Sequence, residues 1–450
     1  MISLLNLAAN KPNHFKKIIH SILWSLFILL FPAHHVFTQD LYFPPLTGNQ
    51  WETVSPESLN WCAHEIPALF DYLNAEESKA FVVLKDGKIV IEKYFDQFSR
   101  DSLWYWASAG KTLTAFLCGM AQQDGILKIS DPSSKYLGQA WTQCNPAQEN
   151  AIRIWNQLSM TSGLDDGVPD NHCTQAPCLL YKADAGNRWA YHNAPYTLLR
   201  DVLESASGQN ENSYTQSKLK SRTGMKGLWF TSGFDNVYLS DARSMARFGL
   251  LILNRGIWNQ DTLLKNREYY EEMVKPSQTL NPAYGYLWWL NGQKSFKLPG
   301  LQIDFPGYLV PDAPKDMFAG IGKNGQILCV VPSENLIVMR MGESNGGDEV
   351  SILLIREMWT LLNKIRCNIP VRSTEINIKN REISAFPNPF QSQVSLKGIE
   401  NGTEIWIYDF LGRLINKNIY FNNILLNDYK QGIYYIKIKG INYTIPVWKL

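Results

Sequence analysis

The sequence predicts an α+β chain, with one antiparallel sheet flanked by helices and a small all-β domain after it. Three observations predict this. Hydrophobic strand pairs lie at either end of a helical middle, at residues 80–95 and 326–341. A long apolar-faced helical stretch, residues 349–365, follows the second pair. From Ile383 onward the chain becomes short alternating strands separated by turns. Strands from both ends of one segment pair most simply in a single sheet, with the intervening helices packed on it. The composition is globular, 45% apolar and 19% charged. A chain of 450 residues exceeds one average domain.

The first 39 residues read as an export signal. Lys11, Lys16 and Lys17 precede an apolar run at 18–31. That run is short for a membrane span and suits the apolar region of a signal peptide, with cleavage near Thr38 or Gln39. The rival reading is an uncleaved anchor. Residues 40–60 are irregular, and 65–73 is a short helix. Residues 80–84 and 88–95 are strands joined through Asp86-Gly87, a hairpin-turn pair. Residues 109–124 are a helix with Gly125 as its cap. Residues 153–160 are a second short helix. Residues 161–190 have little periodicity and form a long loop, the kind that is usually functional or disordered. Residues 195–207 and 239–254 are helical, and 326–331 and 336–341 are the second strand pair. The expected divisions are 1–39 signal, 40–370 main domain and 383–450 β domain.

Charge excludes some partners. The net charge is +2, with +3 in the first 39 residues and +4 in the last 80, so the middle is mildly acidic. Such a domain has no electrostatic case for nucleic acid. The seven histidines are scattered without metal-ligand spacing, and no metal or organic cofactor is expected. Export permits disulfides. Cys173 and Cys178 share one polar loop and are candidates to pair, with Cys144 as an alternative partner for either. Cys118 and Cys329 sit in apolar elements and are expected to be free and buried.

The chemistry centres on Ser108 and Lys111, three residues apart at a helix start and therefore on one face. A serine hydroxyl needs a neighbouring base to take its proton. A lysine serves when burial or nearby cations disfavour its charged form. The helix start adds backbone N–H groups that favour developing negative charge. Alone, such a pair is also what a capping serine beside a solvated lysine looks like.

The surroundings are more specific. Ser108-Ala-Gly-Lys-Thr-Leu-Thr-Ala-Phe116, the helix end at Asp124-Gly125, Ile129-Ser-Asp-Pro132 and Tyr136-Leu-Gly138 resemble the first box of the beta-lactamase-like serine hydrolases. Leu158-Ser-Met-Thr-Ser-Gly-Leu164 resembles their next landmark, and Tyr191-His-Asn193 their Tyr-x-Asn box. Tyr284-Gly-Tyr-Leu-Trp-Trp289 resembles a further segment near the site. The resemblance covers residues 51–367. It implies a five-stranded antiparallel sheet with a helical insert and an acyl-enzyme on Ser108. It implies Lys111 as base and Tyr191 as proton shuttle, with Asn193 donating to substrate or to Lys111.

The third box departs from the family. Phe318-Ala-Gly-Ile-Gly-Lys-Asn-Gly-Gln326 occupies its place, so Gly320 stands where Lys or His is usual and Gly322 takes the glycine position. The group that would grip a substrate carboxylate is missing, which favours the esterase and short-amide hydrolase branch. Gly325-Gln326 before a strand also resembles that branch. Gly320, Gly322 and Gln326 are the expected substrate-binding residues of this strand, the glycines by letting its edge approach the acyl group. Asp165, Asp166 and Asp170 sit in the loop expected to rim the cleft, where they would suit a cationic or amine-bearing substrate, although loop aspartates are more often simply solvated. Trp104, Tyr105, Trp106, Trp189, Trp288 and Trp289 are candidates for an aromatic wall or for core.

In the tail, Phe386-Pro-Asn-Pro-Phe390, residues 407–416 and Gly432-Ile-Tyr-Tyr-Ile-Lys-Ile438 resemble the type IX secretion sorting domain of Bacteroidetes. That implies passage through the periplasm to the surface or medium, the type IX machinery as partner, and no stable membrane span after processing. The leading expectation is a secreted serine hydrolase of an ester or small amide. The alternatives are a D-amino-acid peptidase or beta-lactamase-type activity, an inactive binding protein of the same fold, and a structural adhesin.

Overall fold

Asp86 and Gly87 both take positive φ, 52° and 81°. This is the two-residue turn whose twist matches a hairpin. It joins strands Ser78–Lys85 and Lys88–Tyr94. The computed structural model describes residues 41–343, 350–367, 384–409, 414–438 and 444–449. The expected export signal, the join at 370–383 and part of the sorting-domain segment near 410–413 lie outside the described residues.

The hairpin forms one side of an antiparallel sheet. Its order is Lys88–Tyr94, Ser78–Lys85, Leu336–Gly342, Gln326–Val331, Phe318–Gly322 and Trp289–Leu290. There are thus five longer strands and a sixth of two residues, which pairs with Phe318 and Ala319 and bridges at Trp289 to Tyr284. Beyond Ala319 the outer edge of strand Phe318–Gly322, here called the cleft strand, has no strand partner among the described residues and lies beside the turn that carries Ser108.

Neighbouring residues of a strand face opposite sides. Leu328 faces helix Ala242–Leu253, where a Cβ on Gly249 would meet its Cδ1 at 2.9 Å. Cys329 meets Trp359 of helix Ile352–Ile365, so the two helices cover opposite faces. Helix Ile352–Ile365 packs with helix Ile66–Ala75. A disulfide the sequence reading missed, Cys62–Cys367, closes this pair at 2.04 Å. Cys173 pairs with Cys178 and not with Cys144. Cys118 and Cys329 are free and buried.

Two elements differ from the sequence expectation. The helix expected over 239–254 begins only at Ala242, because Asp241 caps it by accepting from Ser244 N at 2.7 Å. The residues before it form strand Asp235–Ser240, which pairs with Leu228–Ser232 and with the short strand Trp104–Tyr105. The helix expected over 195–207 is two, Asn193–Thr197 and Leu199–Ser207.

The tail builds sheets of three and four strands. Ile405, Ile407, Ile436 and Ile438 point inward with Phe390, Val394 and Leu396. The period-two alternation of the sequence thus fills a small β core.

Candidate active site

Strand Trp104–Tyr105 delivers the chain into a 3-10 turn, Ala107–Gly110, that runs directly into helix Lys111–Gln123. Trp106 anchors this turn: it is fully buried, its backbone N donates to Tyr238 O at 2.8 Å, and its indole donates to Ser240 Oγ at 2.7 Å. Ala107, immediately before Ser108, is held at φ 44°. A non-glycine residue there stores strain that the surrounding anchors must hold.

Lys111 is 2% exposed, yet its Nζ donates to Ser108 Oγ at 2.7 Å and to Asn193 Oδ1 at 2.9 Å. It lies 4.0 Å from the ring centroid of Tyr196 and 4.9 Å from that of Tyr191. A buried amine has lost most of its water, and ring faces compensate a charge only in part. Tyr196 is itself fully buried, and burial raises its phenol well above the ordinary range, so it stays neutral.

Tyr191 is fixed by aromatic packing. Its ring stacks on Trp289 at 5.8 Å and 20°, and meets Tyr284 edge-on at 6.2 Å. Trp189 closes the cluster against Tyr284 and Trp289. The segment leads into helix Asn193–Thr197, which brings Asn193 to Lys111. The amide oxygen of Asn193 accepts from Lys111; the expected donation from Asn193 is instead directed to His172 Nε2, at 3.2 Å, and to Asn171 Oδ1, at 3.5 Å.

The glycines of the cleft strand face the Ser108 turn. A Cβ on Gly322 would lie 2.8 Å from Ser108 N, Ala109 N and Trp106 O, and one on Gly320 would lie 3.0 Å from the Thr112 methyl and 3.2 Å from Ala109 O. At Gly322 only glycine allows this approach. Gln326 is placed differently from the expectation of a substrate contact. It is fully buried, donates to Gly342 O, Lys323 O and Asn324 O, and accepts from Gly342 N. Its amide is committed to the backbone, because position 326 opens an inner strand rather than the cleft edge. Arg340 reinforces the same turn by donating to Asn324 O and Gly325 O.

The aspartates expected at the rim are largely neutralised. Asp166 pairs with Arg188 at 2.6 Å and Asp165 with Lys182 at 3.3 Å, while Asp170 accepts from His172 N. His192 is buried, its ring nitrogens lack partners among the described residues, and burial lowers its pKa to about 4. The aromatic residues divide: Trp106, Trp189, Trp288 and Trp289 are fully buried, Trp104 and Tyr105 half-buried. A cavity of about 390 Å³ touches Arg188, Trp189, Lys297 and Gln302, but none of Ser108, Lys111 and Tyr191. Among the described residues no three His, Cys, Asp or Glu side chains converge as metal ligands.

Sequence reasoning missed His172 and Asp235, joined at 2.6 Å through Nδ1 and Oδ1. They lie 63 residues apart and belong to no motif, so only their spatial meeting reveals them. Tyr196 was also missed as a neighbour of Lys111.

The family model described as Beta-lactamase matches residues 68–358, and that of the Secretion system C-terminal sorting domain matches 384–446. A protein of uncharacterised function from Alkalihalophilus pseudofirmus is 24% identical over 307 residues, 59% of this chain and 84% of the relative. A structure assigned as a 6-aminohexanoate-dimer hydrolase from Bacillus anthracis superposes with a TM-score of 0.56 at 15% identity. The match covers 74% of this chain and 91% of that one. A structure assigned as a beta-lactamase from Bacteroides dorei superposes at 0.54 and 18% identity, over 68% and 99%. At such identities these structures establish the fold. Among the described residues no helix is long and apolar enough to cross a membrane.

Proposed function

Because the chain belongs to the Beta-lactamase family and carries a type IX secretion sorting domain, we propose that it is a secreted serine hydrolase of an ester or small amide, acting through an acyl-enzyme on Ser108. The observation that carries this reading is the 2.7 Å contact between Ser108 Oγ and the buried Lys111 Nζ. The domain divisions that go with it are an export signal over 1–39, the hydrolase domain over 40–370 and the sorting domain over 383–450.

In the proposed mechanism Lys111, as the neutral amine, takes the proton of Ser108 as Oγ attacks the carbonyl carbon. The carbonyl π electrons move onto oxygen. The Ser108 N–H and a backbone N–H at the open end of the cleft strand stabilise that oxyanion, which is what the glycine contacts of Gly320 and Gly322 permit. Tyr191, held beside the amine, relays the proton to the departing alkoxide or amine as its bond to carbon breaks. Water then attacks acyl-Ser108, giving up a proton to the same Tyr191–Lys111 system; the bond from the carbonyl carbon to Oγ breaks, Ser108 Oγ takes that proton back, and the acid product leaves.

Gly320 brings neither cation nor imidazole to the strand, and Lys323 is exposed on the following turn. The guanidinium of Arg340 is directed to backbone carbonyls in the core. These features favour a neutral acyl group over one gripped by its carboxylate. The 6-aminohexanoate-dimer hydrolase assignment of one similar fold agrees with an amide or ester bond as target.

Covalent labelling with a fluorophosphonate probe tests the reading. The full chain is expected to label, and Ser108→Ala to lose all labelling while unfolding at the same urea concentration. A folded wild-type protein that labels neither with this probe nor with a short p-nitrophenyl ester would return the weight to a binding protein of the same fold.

A further inference from the structure

A directed chain of hydrogen bonds runs outward from the candidate base. Lys111 Nζ donates to Asn193 Oδ1 at 2.9 Å, Asn193 Nδ2 meets His172 Nε2 at 3.2 Å, and His172 Nδ1 meets Asp235 Oδ1 at 2.6 Å. Its polarity follows from the groups. An ionised carboxylate only accepts, so Asp235 requires the proton on Nδ1 of His172. A neutral imidazole with that proton has a lone pair on Nε2, which accepts from an amide N–H. The NH₂ end of Asn193 therefore turns to His172, and its oxygen end is left for Lys111.

The pair is built to hold this geometry. Backbone Ala194 N donates to Asn171 O at 3.0 Å, tying the loop to the helix that bears Asn193. His172 N donates to Asp170 Oδ1 at 3.0 Å, and the Cys173–Cys178 disulfide closes the loop directly after it. Asp235 opens a strand that is paired along its length. Among the described residues, the titratable groups near His172 include Asp235 from that strand, Asp170 from its own loop and Lys111 beyond Asn193. Once protonated, His172 would also bear on the buried His192, which lies near Asp165, Asp166 and Arg188.

We propose that His172 and Asp235 are positioning residues that hold the Asn193 amide with its oxygen toward Lys111, and that protonation of His172 reverses the amide and disables Lys111 as base. The inference rests on Lys111 acting as the base for Ser108. Once Nε2 carries a proton, two donors face each other across the Asn193–His172 contact. Rotating the amide relieves that clash but aims its NH₂ at Lys111. There it repels an ammonium, or occupies the lone pair that Ser108 must use.

Two measurements on the full chain test this. The first is fluorophosphonate labelling of Ser108 from pH 5 to 9. His172→Gln places an oxygen acceptor where Nε2 stands and does not titrate. It is expected to keep the wild-type plateau within about threefold and to lose an acid limb that falls about tenfold per pH unit in the wild type. Asp235→Asn donates to Nδ1 and so imposes the wrong tautomer, as an Asp-to-Asn change does in a serine protease triad. Its plateau is expected to fall about 10–100-fold, the worth of one charge-assisted hydrogen bond.

The second measurement is the ¹⁵N spectrum of the His172 ring, assigned by its absence in His172→Gln. The Nδ1–H form is expected in the wild type and its loss in Asp235→Asn. A wild-type ring in the Nε2–H form at pH 8 would overturn the proposal, as would Asp235→Asn labelling with an unchanged rate and pH profile. A wild type that labels at no pH would instead refute the hydrolase reading, and the ring tautomer would still decide whether the pair orients Asn193.

Discussion

The contact between the cleft strand and the Ser108 turn makes a graded prediction. In Gly322→Ala the added methyl would sit 2.8 Å from three backbone atoms, Ser108 N, Ala109 N and Trp106 O. Ordinary contact begins near 3.4 Å, so strand and turn must separate by about 0.6 Å, and no rotamer relieves this because all three atoms are main chain. Overpacking of this kind costs about 1–3 kcal/mol of stability. Its larger effect should fall on reactivity, since a misplacement approaching 1 Å costs about 100-fold when geometry is set for attack. Gly322→Ala is therefore expected to slow fluorophosphonate labelling of Ser108 about 30–100-fold. Gly320→Ala meets a side-chain methyl at 3.0 Å and one carbonyl at 3.2 Å, and should slow it less than tenfold. The assay is the second-order labelling rate beside the urea midpoint of each variant. Gly322→Ala labelling within twofold of wild type, or more readily than Gly320→Ala, would refute the reasoning that this approach sets the site.

Further predictions concern stability. Glu211 is buried, one of its oxygens lacks a partner, and burial raises its pKa from 4.5 to about 8. Between those values the folded state keeps a proton that the unfolded chain has released, so stability is full below pH 4.5 and is lost as pH rises toward 8. Glu211→Gln should remove this loss, matching wild type near pH 4.5 and exceeding it by up to about 4 kcal/mol at pH 8 in urea unfolding; parallel pH profiles would contradict it. The Cys62–Cys367 bridge spans 305 residues, for which the chain-entropy relation gives an upper value of about 6 kcal/mol. The double variant Cys62→Ser with Cys367→Ser should lose about 2–5 kcal/mol by the same method, and a loss below about 1 kcal/mol would show that terminal packing alone holds the helix pair.

Local pattern determined much of this protein. The Asp86-Gly87 turn, the inner strands at 326–331 and 336–341 and the alternation of the tail are short-range signals, and each formed where the pattern placed it. Ser108 and Lys111 were legible because one helix start sets them three residues apart, and Tyr191 and Asn193 because a motif carries them. Tertiary structure decided the rest, since it depends on which distant segments meet. Asp241 caps its helix only because the preceding residues are drawn into a strand pair. Cys62 finds Cys367 only when the two terminal helices pack together. Gln326 has the composition of a substrate contact, but its place at the start of an inner strand commits it to backbone. His172 and Asp235 meet through the loop fold, 63 residues apart, and a hydrogen-bond direction set by their chemistry reaches Lys111 through Asn193. No linear pattern encodes such a meeting, because the contact energy belongs to side chains that only the packed chain brings within 3 Å.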